Sequence, residues 1–529
     1  MTTAIEIVAL LLCGIALATE FSRTLMMVQQ NSYRIDRYNR YLTTSGETTS
    51  VAKLLALAVF LTALIPGVPR LFAVLLLGLY ALWMIIRQLR AQKTYKHPVV
   101  WTPRARRIYG VMLGLALAVC AVVGLAQQPE SVAVAMAATA MLCWFGSAVF
   151  AEAAVWLLQP VEKRINQGFI DDAARILRSM PDLKVIGITG SYGKTSTKHY
   201  LNRILSEKYA VCMTPGSFNT TLGVVRTIRE YLKPYDQVFI CEMGAKQPGD
   251  IKEICDLVHP EIGIITAVGP QHLESFKTIE NVQRTKFELV DALPAGGLAV
   301  LNDDFPYVAN REVGNVAAVR YGIKPRPELK YAVGSISYSA SGTDFTILTP
   351  DGDFELHTRL VGECNVSNLV AAVIVALHLG VEKRQIAYAV SQIEQVEHRL
   401  SIKRTPGGIT ILDDAFNSNP TGSAMALDVL RSLTGGKRIV ITPGMIELGS
   451  EQFALNSEFG RKIAESADVA IVVGQYNRDA ILDGLAAVKE DAPEIHTVDT
   501  FAQAQALLTR IARAGDSVLY ENDLPDTFR

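Results

Sequence analysis

Residues 185–205 read VIGITGSYGKTSTKHYLNRIL, and their types and order can do phosphate chemistry. KVIGIT is a buried-strand pattern, GSYG a tight glycine turn, and KTSTKHYLNRIL a helix. A strand, a glycine turn and a helix start make an anion site, because backbone N–H groups and the positive end of the helix dipole converge there. Thr189, Gly190, Ser191, Gly193 and Ser196 form this nucleotide cradle, Lys194 reaches the outer phosphates, and the Thr195 hydroxyl is placed for magnesium. The strict pattern G-x-x-x-x-G-K-[ST] needs glycine at 188; this chain has Ile188, so its form is T-G-x-x-G-K-T.

Further along, the apolar run DQVFICEMGA ends in Glu242, and an acidic residue at a parallel strand end beside a phosphate loop suits magnesium. EIGIITAVGPQHLESF places His272 just past another strand end, the same position relative to the loop, which favours a metal or phosphate role. Lys286, within NVQRTKFELV, reads by itself as a solvated helix charge. Asn219 and Gly223 sit in a polar loop entering a helix, a weak pointer to substrate contact.

Stepping outward to the elements that must hold these groups, the chain has 529 residues, room for roughly two to four domains. Lysine and arginine number 51 against 52 acids, so no basic excess exists to bind nucleic acid. Half the residues are hydrophobic and mean hydropathy is positive, high for a soluble enzyme. The seven cysteines are scattered without a CxxC pair, and three lie in apolar runs, the pattern of free thiols in a reducing compartment.

The apolar surplus lies before residue 160, in runs at about 4–21, 54–69, 71–86, 108–126 and 132–158. A span takes about 20 apolar residues, so these predict five transmembrane helices, the second and third a hairpin turned at PGVPR. Glu6 in the first run, with no basic segment before it, argues against a cleaved signal peptide. Arg23, Arg34, Arg37, Arg40 and Lys53 mark the first connection as basic, and the third carries seven basic residues from Arg87 to Arg107. The second has only Arg70 and the fourth none. The positive-inside rule then puts the N-terminus outside and everything after Leu158 in the cytoplasm, where ATP is.

TGSYGKTSTK, SFNTTLGV, CEMGAKQPGDI, GPQHLESF, RTKFEL and LNDD occur in an order and spacing that resemble the Mur ligase family, most closely its MurF branch. VGECNVSNLVAAVIVALHLG, EHRLSI, ILDDAFNSNPTGSAMALDVL and PGMIELGSEQ extend the likeness over roughly residues 184–520. The resemblance implies an ATP-dependent ligase that phosphorylates a carboxylate and lets an amine displace the phosphate, in cell-wall (peptidoglycan) precursor synthesis. It implies that Lys194, His272, Lys286 and Arg399 are catalytic, and that Thr195, Glu242, His272 and Lys286 serve two magnesium ions, one through a carbamylated Lys286. It further implies that Asn365 and Asn368 hold adenine, that Asp414 holds ribose and Arg399 lies near the phosphates, and that Asn219, Asn417 and Asn419 face substrate.

Three positions depart from the family. Cys364 stands where histidine is common, the KGS-type C-terminal loop is replaced by YENDLPDTFR, and the histidine common after ELG is Asn456. Only about 25 residues separate the last apolar run from Val185, and the resemblance implies that membrane helices stand where the family's MurF branch has a uridine-binding domain. Two readings of that swap stand level: a lipid-linked carboxylate envelope precursor as substrate, or helices that only anchor the enzyme near envelope-synthesis partners in the bacterial cytoplasmic membrane. The incoming amine is an amino acid or dipeptide. Rival functions are a membrane polyglutamate synthase and a non-catalytic nucleotide-binding scaffold.

The expected fold is a transmembrane helical bundle (1–160), an α/β ATP-binding central domain with a mostly parallel sheet (161–396) and a Rossmann-like C-terminal domain (397–529). The segment from Ala332 to Leu360 alternates apolar and polar residues and predicts antiparallel strands at the edge of the central sheet.

Overall fold

The computed structural model describes residues 2–65, 67–93, 95, 97–128, 131–339, 342–416, 418–488 and 492–524. It divides into two compact units, one formed mainly by residues 1–166 and the other by residues 167–523.

The apolar runs of the first unit fold as α1 (Thr2–Gln30), α2 (Ile35–Thr44), α3 (Val51–Leu64), α4 (Arg70–Gln92), α5 (Pro103–Leu125), α6 (Val132–Phe145) and the start of α7 (Ser147–Arg178). Polar pairs fix how they run. Glu6 near the start of α1 pairs with Arg70 at the start of α4 (Oε1–Nε 2.6 Å). At the other end, Gln29 and Gln30 donate to the carbonyls of Val100 and His97, beyond the end of α4. α1 and α4 are therefore parallel, and α3 carries the chain back between their opposite ends.

Among the described residues three helices, α1, α4 and α5, are long and apolar enough to cross a membrane. The sequence predicts five spans, two of them short. α3 has only 14 residues, a rise of about 21 Å. The run 132–158 is not straight: α6 and α7 are bent by 76° at Gly146, and count at most as one broken span. Lys53 sits at that break with its ammonium buried, donating to Trp144 O (2.9 Å), Ser147 Oγ (2.7 Å) and Glu20 Oε1 (2.9 Å). A charge in so apolar a bundle needs such partners, and satisfying it takes up a carbonyl at the helix end. Pro160 lies inside α7 without ending it, so the amphipathic helix expected after it is the continuation of α7.

The second unit holds two sheets. The first comprises β1 (Lys184–Thr189), β2 (Val211–Met213), β3 (Val238–Glu242), β4 (Ile262–Ile265), β5 (Leu298–Asn302), β6 (Ala317–Gly322), β7 (Tyr331–Ser339), β8 (Gly342–Leu348) and β9 (Phe354–Thr358). Their order is β2-β3-β1-β4-β5-β6-β7-β8-β9. It is parallel up to β7, then antiparallel through β8 and β9 as the alternating pattern predicts. β1, β3 and β4 are apolar and buried almost throughout because helices cover both faces of the sheet.

The second sheet comprises β10 (Ser401–Arg404), β11 (Thr410–Asp414), β12 (Arg438–Thr442), β13 (Val469–Val473), β14 (Glu494–Val498) and β15 (Ser517–Glu521), in the order β10-β11-β15-β12-β13-β14. All but the β10–β11 pair are parallel. In each sheet the C-terminal strand ends form the edge where an open α/β sheet binds ligands.

Candidate active site

β1 runs between β3 and β4, with Ile188 opposite Glu242 and Thr189 opposite Ile265, so the phosphate loop emerges between two strand ends. Its glycines are required by close approach. A Cβ on Gly190 would lie 2.1 Å from Thr266 Oγ1, and one on Gly193 (φ +79°) 2.5 Å from Asn368 Oδ1. Gly193 precedes helix α8 (Lys194–Leu205), and Lys194 Nζ closes the loop by donating to Gly190 O at 2.6 Å.

Thr189 and Ser191 spend their hydroxyls inside the fold, on Met243 O (2.9 Å) and Gly269 O (3.0 Å), so their side chains hold the loop in place. Ser196 lines the cleft beside Gly193. Burial draws the Lys194 ammonium down to about 8, against the pull of Glu242, with Arg399 adding to the fall.

Glu242 is almost fully buried and every contact on its carboxylate is specific. Oε2 accepts from Lys198 Nζ at 2.9 Å, and Oε1 accepts from Asn219 Nδ2 at 2.9 Å and Thr195 Oγ1 at 3.2 Å. Burial alone would raise this carboxyl; Lys198 and Lys194 hold it below the usual range. Lys198 also donates to Gly216 O (2.6 Å), tying the loop that carries Asn219 to α8. Sequence reading missed Lys198, although its spacing of four from Lys194 puts both on one helix face. Asn219 acts here as a brace for Glu242.

Lys286 lies on the helix Ile279–Asp291 and is buried; desolvation first, then Lys194, brings its amine down to about 7. His272 is in the left-handed region (φ 52°) and its Nδ1 is engaged by Glu447. Burial lowers the imidazole below its ordinary value although Glu447 opposes this. Among the described residues no three His, Cys, Asp or Glu side chains form a metal-ligating group. The Thr195 hydroxyl and the Glu242 carboxylate are two hard oxygen donors in contact, the donor set that suits magnesium, which keeps several waters.

The second sheet brings Arg399 and Asp414. Arg399 donates to Thr195 Oγ1 at 3.4 Å and stacks on Phe416 at 4.3 Å. Asp414 Oδ1 accepts from Leu400 N (3.0 Å); burial raises its carboxyl to about 6, with Arg399 opposing. Asn368 faces Gly193, while Asn365 is committed to Tyr200 (2.7 Å) and to Val361 O (2.9 Å). Asn419 caps the helix Pro420–Ser432 through Gly422 N at 2.9 Å, so its side-chain oxygen is spent on structure. Asn417 lies outside the described residues. A cavity of about 390 Å³ joins Gly193, Asn365 and Asn368 on one side to Arg399, Asp414 and Asn419 on the other. It is large enough for a nucleoside.

Residues 188–376 match the Mur ligase middle domain, and residues 398–520 match the Mur ligase, glutamate ligase domain; residues before 188 lie outside both. The UDP-N-acetylmuramoyl-tripeptide–D-alanyl-D-alanine ligase of Mycobacterium tuberculosis (strain H37Rv) is 32% identical over 359 residues, 64% of this chain and 70% of that one. The ligase of the same name from Bacillus subtilis (strain 168) is 29% identical over 53% of this chain, which spans 60% of its length. Among solved structures, MurF from Acinetobacter baumannii superposes with TM-score 0.61 at 27% identity, covering 67% of this chain and 77% of that one.

Proposed function

The chain belongs to the Mur ligase family, and on that premise we propose that it is a membrane-anchored, ATP-dependent carboxylate–amine ligase of the MurF type acting on a peptidoglycan precursor. The observation that carries this reading is the meeting at Thr195 of two groups from different sheets, Glu242 and Arg399. A nucleotide seated on Gly190–Thr195 would present its terminal phosphate to that meeting point.

A substrate carboxylate oxygen attacks the γ-phosphorus and the bond to ADP breaks, giving an acyl phosphate. The amine nitrogen then attacks the carbonyl carbon, phosphate departs, and the nitrogen loses a proton. Lys194 and Arg399 neutralise charge on the transferring group, the main contribution of protein to such chemistry. Thr195 and Glu242 would hold magnesium, which supplies charge neutralisation between the phosphates. Lys286, whose amine burial brings down to about 7, could add to carbon dioxide with loss of a proton, and the carbamate would then offer oxygens to a second magnesium. Asn368 faces adenine and Asp414 the ribose.

We place α1, α3, α4, α5 and the α6–α7 break across the membrane, with the N-terminus outside and the ligase unit cytoplasmic. The parallel run of α1 and α4 supports a crossing by α3 despite its length. Were α3 not to cross, the basic segment after α4 would lie opposite the one after α1, against the charge rule. The carboxylate substrate is then membrane-proximal, and a lipid-linked muropeptide suits a chain whose helices stand where a nucleotide-sugar domain is expected.

The test is ADP release by the full-length protein in nanodiscs, with a lipid-linked or a UDP-linked muramoyl tripeptide offered with D-alanyl-D-alanine or single amino acids. Faster turnover of the lipid-linked acceptor supports the reading. Equal or better turnover of the UDP-linked acceptor leaves the helices as an anchor alone. A ladder of products from radiolabelled glutamate would instead identify a polymerase.

A further inference from the structure

The loop after β4 is sewn to the phosphate loop. Ser191 N donates to Ala267 O (2.8 Å), Ser191 Oγ to Gly269 O (3.0 Å), and Gly269 N back to Ser191 Oγ (3.0 Å). His272 follows three residues later, and its ring shares one electrostatic site with the loop lysine: Lys286 acts on His272, and Lys194 acts on Lys286. The carboxylate that seats this ring comes from the other sheet. Glu447, in the turn after β12, engages His272 Nδ1 through Oε2, while its Oε1 lies 3.8 Å from Lys246 Nζ in the loop after β3. A single side chain of the second sheet therefore bridges the two loops that flank the phosphate loop.

Backbone contacts reinforce the bridge. Glu274 N donates to Glu447 O (3.1 Å), and a Cβ on Gly449 would lie 3.2 Å from Glu274 N and Cα, so the turn rests directly on the short helix Leu273–Phe276. Both His272 and Glu447 hold left-handed backbones (φ 52° and 62°), which persist only where the surroundings fix them. The turn itself is rigid. Met445 N donates to Asn456 Oδ1 (2.8 Å) and Asn456 Nδ2 returns to Met445 O (3.1 Å). Asn477 Nδ2 donates to Pro443 O and Met445 O (2.9 Å each), and Leu448 N to Gln452 Oε1 (3.1 Å). A carboxylate on so fixed a support can hold another group in place.

We propose that Glu447 is a positioning residue for phosphoryl transfer: by accepting from His272 Nδ1–H it leaves Nε2 to meet the transferring phosphoryl group, and it does so only when the second sheet is docked on the first. The inference rests on the ligase reading above and deepens it. The partner of one ring nitrogen sets what the other can do, and a carboxylate accepts from Nδ1–H whether the ring is neutral or charged. Arg399 reaches Thr195 from the β11 side of the second sheet and Glu447 reaches His272 from the β12 side, so one movement makes or breaks both contacts. An open cleft then holds ATP with neither the guanidinium nor the seated imidazole in place, which guards the nucleotide against idle hydrolysis.

Neither His272 nor Glu447 lines the nucleoside cavity, so His272→Ala, Glu447→Ala and Glu447→Gln should bind a non-hydrolysable ATP analogue within about threefold of the parent. Scrambling of the β,γ-bridge oxygen of ATP by the full-length protein, with UDP-N-acetylmuramoyl-tripeptide and no amine, reports acyl phosphate formation. Glu447→Ala should slow it about 10- to 100-fold, the loss a misplaced group brings. Glu447→Gln, whose amide oxygen still accepts from Nδ1–H, should recover to within about fivefold of the parent. The double variant His272→Ala, Glu447→Ala should match His272→Ala within about threefold, because Glu447 acts through the ring. Parent-like scrambling in Glu447→Ala, losses that multiply in the double variant, or weakened analogue binding overturns the assignment. Hydrogen exchange of residues 270–277 with the analogue bound needs no acceptor, and should quicken at least about tenfold in Glu447→Ala. No scrambling by the parent, with that change in exchange, sinks the acceptor half of the ligase reading and keeps the Glu447 bridge; unchanged exchange sinks the bridge.

Discussion

Replacing Lys198 with methionine removes the one full charge that hydrogen-bonds Glu242 while leaving a stem of similar length. The Nζ–Oε2 separation is 2.9 Å and both side chains are almost wholly buried. Coulomb's law at that distance, with an effective dielectric of about 20, gives about 6 kcal/mol of gross attraction. Part of this offsets the cost of desolvating the pair, and removing one partner of a buried pair costs about 3–5 kcal/mol. The double variant Lys198→Met, Glu242→Gln leaves no orphaned charge. Its glutamine still accepts from Asn219 and Thr195, so it should return to within about 2 kcal/mol of the parent.

The sign with pH follows from Glu242. In the parent its carboxyl sits below 4.5, so the stability it contributes is present above pH 4.5 and is lost as pH falls below that value. In Lys198→Met burial dominates and raises the carboxyl, so that variant gains stability relative to the parent as pH falls from 7 towards 4.5. All four tryptophans, Trp83, Trp101, Trp144 and Trp156, lie in the first unit, so tryptophan fluorescence is blind to this change. Hydrogen exchange of peptides covering β3 and α8 is the appropriate measurement. Unchanged protection in the single variant, or a double variant no better than the single, would refute the reasoning.

Lys194→Ala should cut ADP release by about 100-fold or more, as loss of a charge that stabilises a transferring phosphoryl group does, while membrane insertion, checked by flotation, stays intact. Lys286→Ala should abolish turnover, with partial recovery in added formate or acetate if a carbamate is the working form; no recovery at any concentration counts against the carbamate. Asp414 carries a carboxyl raised from 3.8 to about 6, so folded-state stability falls as pH rises between those values. Asp414→Asn should therefore be the more stable protein above pH 6, by up to about 3 kcal/mol, with the gain vanishing near pH 4 in urea titrations followed by exchange of β11. Gly193→Ala, whose Cβ would meet Asn368 Oδ1 at 2.5 Å in a left-handed backbone, should lose nucleotide binding measurable by filter retention.

The phosphate loop was legible because all its parts are contiguous: one strand, one turn and one helix start fix Lys194 and Thr195 without help from the rest of the chain. Lys198 was not, since its meaning comes from Glu242, 44 residues away and joined to it only by the β1–β3 pairing. Glu447 is the same case at greater range, because it meets His272, 175 residues away, only where the two sheets come together. Asn419 illustrates the opposite error. Followed by Pro420 and three residues before Gly422, it carries the signature of a helix cap, and local chemistry claims the side chain that a substrate role would need. The bend at Gly146 escaped notice because 132–158 is continuously apolar, and hydropathy registers a span without registering its direction.

Seven non-glycine residues of the described second unit hold positive φ; two, His259 and Lys277, end helices, and the other five gather at the cleft. His272, His398, Leu400, Glu447 and Asn522 all hold left-handed backbone conformations without being glycine, each at a cost of about 1–3 kcal/mol. All five lie where the strand ends of one sheet meet the other or where the second sheet presents its edge to the cleft. Each is held by a specific partner: His272 by Glu447, His398 Nδ1 by Asp413 Oδ2 (2.8 Å), Glu447 O by Glu274 N (3.1 Å), Leu400 N by Asp414 (3.0 Å), and Asn522 by Gly444 (2.6 Å). These partners are polar and few, while the large apolar clusters sit within the sheets and their helices. A junction made this way can open to admit nucleotide and release product without exposing a core, and its closure returns Arg399 to Thr195.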